Sequence, residues 1–159
     1  MEVSELLTVE SVIADLRVTS KKQALQELSK FAADQTGQDE RAIFDILLER
    51  ERLGTTGVGD GLAIPHGRMQ GLEKIQGFFA RLEKPLDFDS IDDRPVDLIF
   101  LLLAPEGAGA DHLKALARIS RLLRGPAICE KLRGATNRDA LFALLSQVPE
   151  ANPNLRAAS

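Results

Sequence analysis

Apolar positions change their period several times along this chain, and each change marks an element. Ala24, Leu25, Leu28 and Phe31 recur at helical spacing behind Ser20, a plain N-cap, and Gly37 ends that helix. A second helix is expected from about Asp39 to Leu53, with Ile43, Ile46, Leu47 and Leu53 inward and Glu40, Arg41, Glu49 and Glu51 outward. Val12 to Leu16 suits either a short strand or one helical turn. Gly54 to Gly61, rich in Gly and Thr, reads as loop. Leu62-Ala63-Ile64 then reads as a short buried strand arriving at Pro65-His66-Gly67.

Lys74 to Leu82 alternates as a strand does, and the unbroken apolar run from Val96 to Leu103 has the pattern of a strand covered on both faces. After the turn Pro105 to Gly109, residues Ala110 to Leu123 form the clearest helix. Leu113, Leu116, Ala117, Ser120 and Leu123 are expected to face in, and Lys114, Arg118 and Arg121 to form a basic outer stripe. Gly125 stops it, Pro126 opens a shorter helix through Leu132, and Asn137 caps a last one holding Leu141, Leu144 and Leu145. Strands interleaved with helices imply an α/β domain, a central sheet covered by helices. Residues 1–147 read as one domain, and 148–159, with two prolines and no periodicity, as a flexible tail.

Composition narrows the setting. With 159 residues, 44% of them hydrophobic, the chain can bury a core without cross-links. Its single cysteine, Cys129, excludes an internal disulfide and any multi-cysteine metal site. No basic-then-apolar leader opens the chain, and the longest apolar run, Leu98 to Ala104, is too short to span a bilayer. A cytoplasmic setting without membrane insertion is the expectation. The net charge of −4, from 24 acids against 20 bases, and the lack of Trp and Tyr argue against nucleic acid as partner.

Chemistry concentrates around two histidines, the only ones in the chain. His66 follows Pro65, which sets its own φ, and precedes Gly67, which lets the backbone turn away. That punctuation suits an imidazole reachable from outside, while a core histidine, the other reading, has no need of it. The upstream glycines can offer N–H groups to an anion. His112, beside Asp111, lies at the start of the clearest helix, where free N–H groups and the helix dipole favour an anion and disfavour a protonated ring. It is therefore expected to be neutral and able to donate one N–H to a phosphate oxygen; capping or plain exposure is its alternative. Arg50, near the end of the second helix, carries the donor fork that suits phosphate, and Arg52 has an equal claim on position.

Other motifs fail. Gly57-Val58-Gly59-Asp60-Gly61 follows a helix and leads into a strand, the reverse of a dinucleotide fingerprint. There is no P-loop, zinc spacing or nucleophile elbow, so no metal or cofactor is expected. A histidine-nucleophile phosphatase ranks last, because no general acid near a deep pocket is evident.

The run from Arg50 through Thr56, Gly57 and Asp60 to His66-Gly67 resembles the active-site signature of enzyme IIA proteins. These form the fructose/mannitol-type (EIIA type-2) branch of the bacterial phosphotransferase system. Pro95 to Pro105, followed by Asp111-His112-Leu113, is similar to the same family, and the likeness extends roughly from Leu6 to Leu145. The resemblance implies a mixed sheet flanked by helices and a phosphoryl group accepted on Nε2 of His66. The donor would be a phosphorylated HPr-type carrier, charged from phosphoenolpyruvate by enzyme I. It implies Arg50 as the phosphate-binding arginine, since Arg50 aligns with the family's Arg-Glu pair, and His112 as the second active-site histidine. Thr56 and Gly57 fall in its phosphate-binding loop, and Asp60 and Asp111 are assigned to the rim that partners meet. Without a fused IIB-like or membrane segment, the chain looks most like the nitrogen-related regulatory branch, with a nitrogen-type HPr as donor and regulated proteins as targets. A sugar-transport enzyme IIA passing its phosphoryl to a IIB domain is the alternative.

Overall fold

The computed structural model describes residues 2–147, so the expected tail lies outside the described residues. One mixed sheet forms the middle layer. In chain order come β1 (Val12–Leu16), α1 (Lys21–Thr36), α2 (Glu40–Leu53), β2 (Gly57–Gly59), β3 (Leu62–Ala63), β4 (His66–Met69), β5 (Gln76–Leu86), β6 (Val96–Pro105), α3 (Ala110–Arg124), α4 (Pro126–Gly134) and α5 (Arg138–Ser146). The sheet runs β1-β5-β6-β3-β2, and β4 lies beyond β3 against the same edge of β6. β5 and β6 are antiparallel, while β1, β3 and β4 pair in parallel with their neighbours β5 or β6.

β6 explains the two-sided core. Leu98, Phe100, Leu102 and Ala104 point to one face, beneath α3, α4 and α5. Ile99, Leu101 and Leu103 point to the other, beneath α1 and α2. Each of the Leu, Ile and Phe side chains among them, fully removed from water, contributes about 1.5–3 kcal/mol, so this one strand helps hold both helical layers. Ser20, Asn137 and Gly37 cap helices as expected, and Asp39, expected to begin the second helix, is its N-cap: the side chains of Ser20, Asp39 and Asn137 accept from the backbone three residues on, and Gly37 takes a left-handed C-cap at φ 75°.

Several expectations change. Gly54 to Gly61 is not all loop: β2 and β3 form a hairpin through Asp60 and Gly61, both at positive φ (57° and 80°), as a tight two-residue turn requires. The Asp-Gly pair was the signal for it. α3 is rotated by one residue from the expected stripe. His112, Ala115, Ile119 and Leu123 are buried, while Leu113 is 65% exposed. A residue step turns a helix by about 100°, which explains why Leu113 and Ala117 leave the core together. Leu53 is also outside, at 81% exposure. Glu51 goes the other way, its side chain only 4% exposed.

Candidate active site

The site begins with an interruption in the parallel pairing along β6. β3 pairs with Leu98 and Ile99, and β4 resumes at His66 opposite Leu102. Ile64 and Pro65 bridge the step. Pro65 has no N–H for the ladder, and its carbonyl receives Leu102 N at 3.0 Å. The Ile64 carbonyl, off the ladder, is left for a side chain, and Nδ1 of His66 takes it at 2.9 Å. A carbonyl only accepts, so Nδ1 carries the proton and Nε2 the lone pair. Nε2 accepts from Nε–H of Arg50 at 3.2 Å, and Arg50 is itself braced by donating Nη1 to the Gly54 carbonyl at 2.8 Å. Burial pushes the His66 pKa below its usual value, opposed by the Ile64 carbonyl; the Arg50 charge lowers it further and Glu51 raises it.

Gly67 does not turn the chain away. It continues β4, and glycine is needed there because a Cβ would overlap the Ile46 side chain of α2. With the chain extended, His66 and Arg68 share one face, toward α3, and Gly67 and Met69 share the other. Arg68 reaches His112 across that face. Its Nε–H donates to Nδ1 of His112 at 2.8 Å, and its Nη2 donates to the Gly109 carbonyl at 3.2 Å. A guanidinium only donates, so the neutral His112 ring holds its proton on Nε2. His112 is 6% exposed, and its Nε2 is buried without a hydrogen-bond partner among the described residues. The two imidazoles stand edge to face, 5.6 Å between centroids. Burial, then the neighbouring His66 and Arg68, keep the His112 pKa below its ordinary value.

The other candidate residues separate. Arg52 pairs with the exposed Glu49 at 3.1 Å, so Arg50 is the arginine that reaches the histidine. The Thr56 N–H donates to Glu51 at 3.0 Å, its hydroxyl bonds the same carboxylate, and the Gly57 N–H donates to the Thr55 hydroxyl at 3.0 Å. Neither N–H is free for an anion in this arrangement. Lys21 completes the Glu51 cluster at 2.9 Å. Asp60 sits at the β2–β3 turn, exposed and paired with Arg94 at 3.3 Å. Asp111 is exposed in the first turn of α3. Sequence reasoning missed Arg68 and the inward turn of Glu51. Alternation from His66 could have found the first.

The sequence model of the family described as "Phosphoenolpyruvate-dependent sugar phosphotransferase system, EIIA 2" matches residues 5–148. The chain belongs to this family. A "Nitrogen regulatory protein" of Bradyrhizobium diazoefficiens is 59% identical to this EIIA chain over 149 residues, 94% of this chain and 97% of that one. A "PTS system fructose-specific EIIA component" of Haloferax volcanii is 36% identical over 150 residues, 94% of this chain and 97% of its own length. Among solved structures, Nitrogen Regulatory Protein IIA-Ntr from Neisseria meningitidis superposes with a TM-score of 0.85 at 35% identity, covering 90% of this chain and 98% of that one. Among the described residues of this EIIA chain, no helix is long and apolar enough to cross a membrane, and no cluster of three or more metal-ligating side chains occurs.

Proposed function

We propose that this chain carries a phosphoryl group on Nε2 of His66, taken from a phosphorylated HPr-type carrier in the cytoplasm. One observation carries the reading: the Ile64 carbonyl holds the ring proton on Nδ1, which leaves the Nε2 lone pair as the nucleophile beside Arg50. In the transfer, that lone pair forms the new N–P bond as the bond to the donor breaks, its electron pair staying with the donor. In-line transfer needs position and charge stabilisation more than covalent machinery. Arg50, whose Nε–H bonds that lone pair at rest, turns its positive charge to a phosphoryl oxygen as the N–P bond forms, and the buried Nε2–H of His112 supplies a neutral donor without a partner among the described residues. A lowered pKa keeps His66 neutral, hence nucleophilic, at neutral pH.

The purpose we infer is regulatory, with a nitrogen-type HPr as donor and target proteins that distinguish the two states of His66. The name of the Bradyrhizobium relative supports it. A phosphoryl group adds about −1.5 to −2 charges, enough to alter which partner binds that face. The Haloferax relative's name favours a second reading, delivery of the phosphoryl to a IIB domain in sugar uptake. The deciding experiment incubates the protein with phosphoenolpyruvate, enzyme I and either a nitrogen-type or a sugar-type HPr. Acid-labile label on wild type and none on His66→Ala is the expected result. Equal labelling of the two ends the carrier reading, and faster labelling from the sugar-type HPr favours uptake.

A further inference from the structure

Arg68 takes no part in the chemistry derived so far, yet two arms of its fork are committed to the start of α3, one to the His112 ring and one to the Gly109 carbonyl. It stands two residues after His66 on the same face of β4, opposite Ala104 of β6. From there Nε–H meets Nδ1 of His112, 2.8 Å away and 44 positions along the chain, while Nη2 meets the carbonyl of Gly109 at 3.2 Å. Gly109 is the N-cap of α3, held at φ 57° and without a side-chain cap. The same carbonyl accepts the backbone N–H of His112 at 3.3 Å. Arg68 thus grips the first turn of α3 at the ring and at the backbone, from the strand that bears His66.

We propose that Arg68 is a positioning residue for phosphoryl transfer, which holds the His112 proton on Nε2 and aligns that N–H with the phosphoryl of His66. An imidazole has two sites for one proton, and only a partner on one nitrogen decides between them. At His66 that partner is a backbone carbonyl, fixed by the fold. At His112, among the described residues, a side chain takes Nδ1 and the backbone does not. An arginine there has a second consequence. Its N–H fills the Nδ1 lone pair at 2.8 Å and its other arm ties it to the Gly109 carbonyl of the same helix, so a proton can enter that nitrogen only by displacing a tethered cation. His112 is kept as a neutral donor beside the transfer site. The buried Nε2, without a partner among the described residues, is the atom this arrangement leaves unsatisfied for a ligand. A buried donor left unsatisfied is costly, and a phosphoryl oxygen would satisfy it.

The tautomer itself does not depend on the carrier reading, but its use toward a phosphoryl rests on it. The test compares wild type with Arg68→Met, which keeps an aliphatic stem but no donor, and Arg68→Lys, which keeps a charged donor. Imidazole ¹⁵N shifts and long-range ¹H–¹⁵N correlations report the tautomer of His112, with backbone spectra checking that the fold is intact. Wild type is expected to show protonated Nε2 and a hydrogen-bonded, bare Nδ1. Arg68→Met is expected to show averaging between tautomers and a transfer rate from phosphorylated HPr lowered about tenfold at unchanged half-saturating donor, the scale of one hydrogen bond to a charged group. Arg68→Lys should return the wild-type tautomer and a rate within about threefold, since a point donor replaces a fork. A pure Nε2–H spectrum in Arg68→Met, or an unchanged transfer rate, overturns the proposal. If wild type accepts no phosphoryl, the carrier reading fails, and the spectra alone decide whether Arg68 fixes the tautomer.

Discussion

His66 and His112 stand 5.6 Å apart and are built in opposite senses. At His66 an acceptor, the Ile64 carbonyl, takes Nδ1, so Nε2 is a lone pair. At His112 a donor, Arg68, takes Nδ1, so Nε2 is an N–H. One ring therefore has a lone pair at Nε2 and the other an N–H, although their covalent chemistry is identical. Their supports differ too. The first ring is set by backbone at a break between two short strands; the second is set by a side chain reaching across a sheet–helix interface. A phosphoryl between them would form a bond to one ring and a hydrogen bond to the other. Arginine serves both rings: Arg50 donates to Nε2 of His66, and Arg68 donates to Nδ1 of His112.

The comparison breaks most completely at His66. Replacing it by alanine should abolish acid-labile labelling while the circular dichroism spectrum stays that of wild type, because the ring is only half-buried. Glu51 should be the next largest effect, and on stability. It binds Lys21 and both polar groups of Thr56 from a side chain 4% exposed. Removing one partner of such a cluster strands the others, so Glu51→Ala should cost about 2–4 kcal/mol. At this chain length that lowers the melting temperature by roughly 5–15 °C, measured by scanning calorimetry.

His112→Ala should slow transfer about tenfold to a hundredfold, the loss of one hydrogen bond to a charged group. His112→Gln, which keeps an N–H donor but no imidazole, should recover part of that. Equal rates for Gln and Ala variants would show that the ring acts by something other than donation. The smallest effect is in pH. Both rings lie below the ordinary histidine value, chiefly through burial. Transfer should therefore stay flat through neutrality and fall only below the ~6.5 of a free imidazole. In stability the sign is the same. Unfolded histidines take up protons near ~6.5 while the folded ones resist, so the folded state loses stability as pH falls through that window. A transfer profile with its midpoint above that of free imidazole would contradict the burial of His66.

Much of the arrangement was legible along the chain. Ser20, Gly37, Asp39 and Asn137 cap helices as their residue types require, and the seven consecutive residues Leu98 to Ala104 of β6 point alternately to two cores. What misled was local ambiguity. Gly67 reads equally as a place to turn or as a place for close approach, and Ile46 of α2 decides for the second. Leu113 looks like core on a helix whose buried stripe is instead anchored by a histidine. Glu51 fits an outer helical face until Thr56 and Lys21 are brought to it.

By itself the sequence offered the residues with the chemistry: a histidine between proline and glycine, two arginines sixteen and fourteen positions before it, and a second histidine opening a helix. It also determined most of the elements, because period and capping depend on neighbours three or four residues away. Only the tertiary structure decided the tautomers of the two rings, the contact of Arg50 with His66, and the presence of Arg68 at the site. Each of those rests on a hydrogen bond that packing brings together: Ile64 turned off its ladder, α2 laid against β4, and α3 seated on the opposite face of the sheet. Residue type limits what an imidazole can do; the partner on its other nitrogen determines which of those things it does.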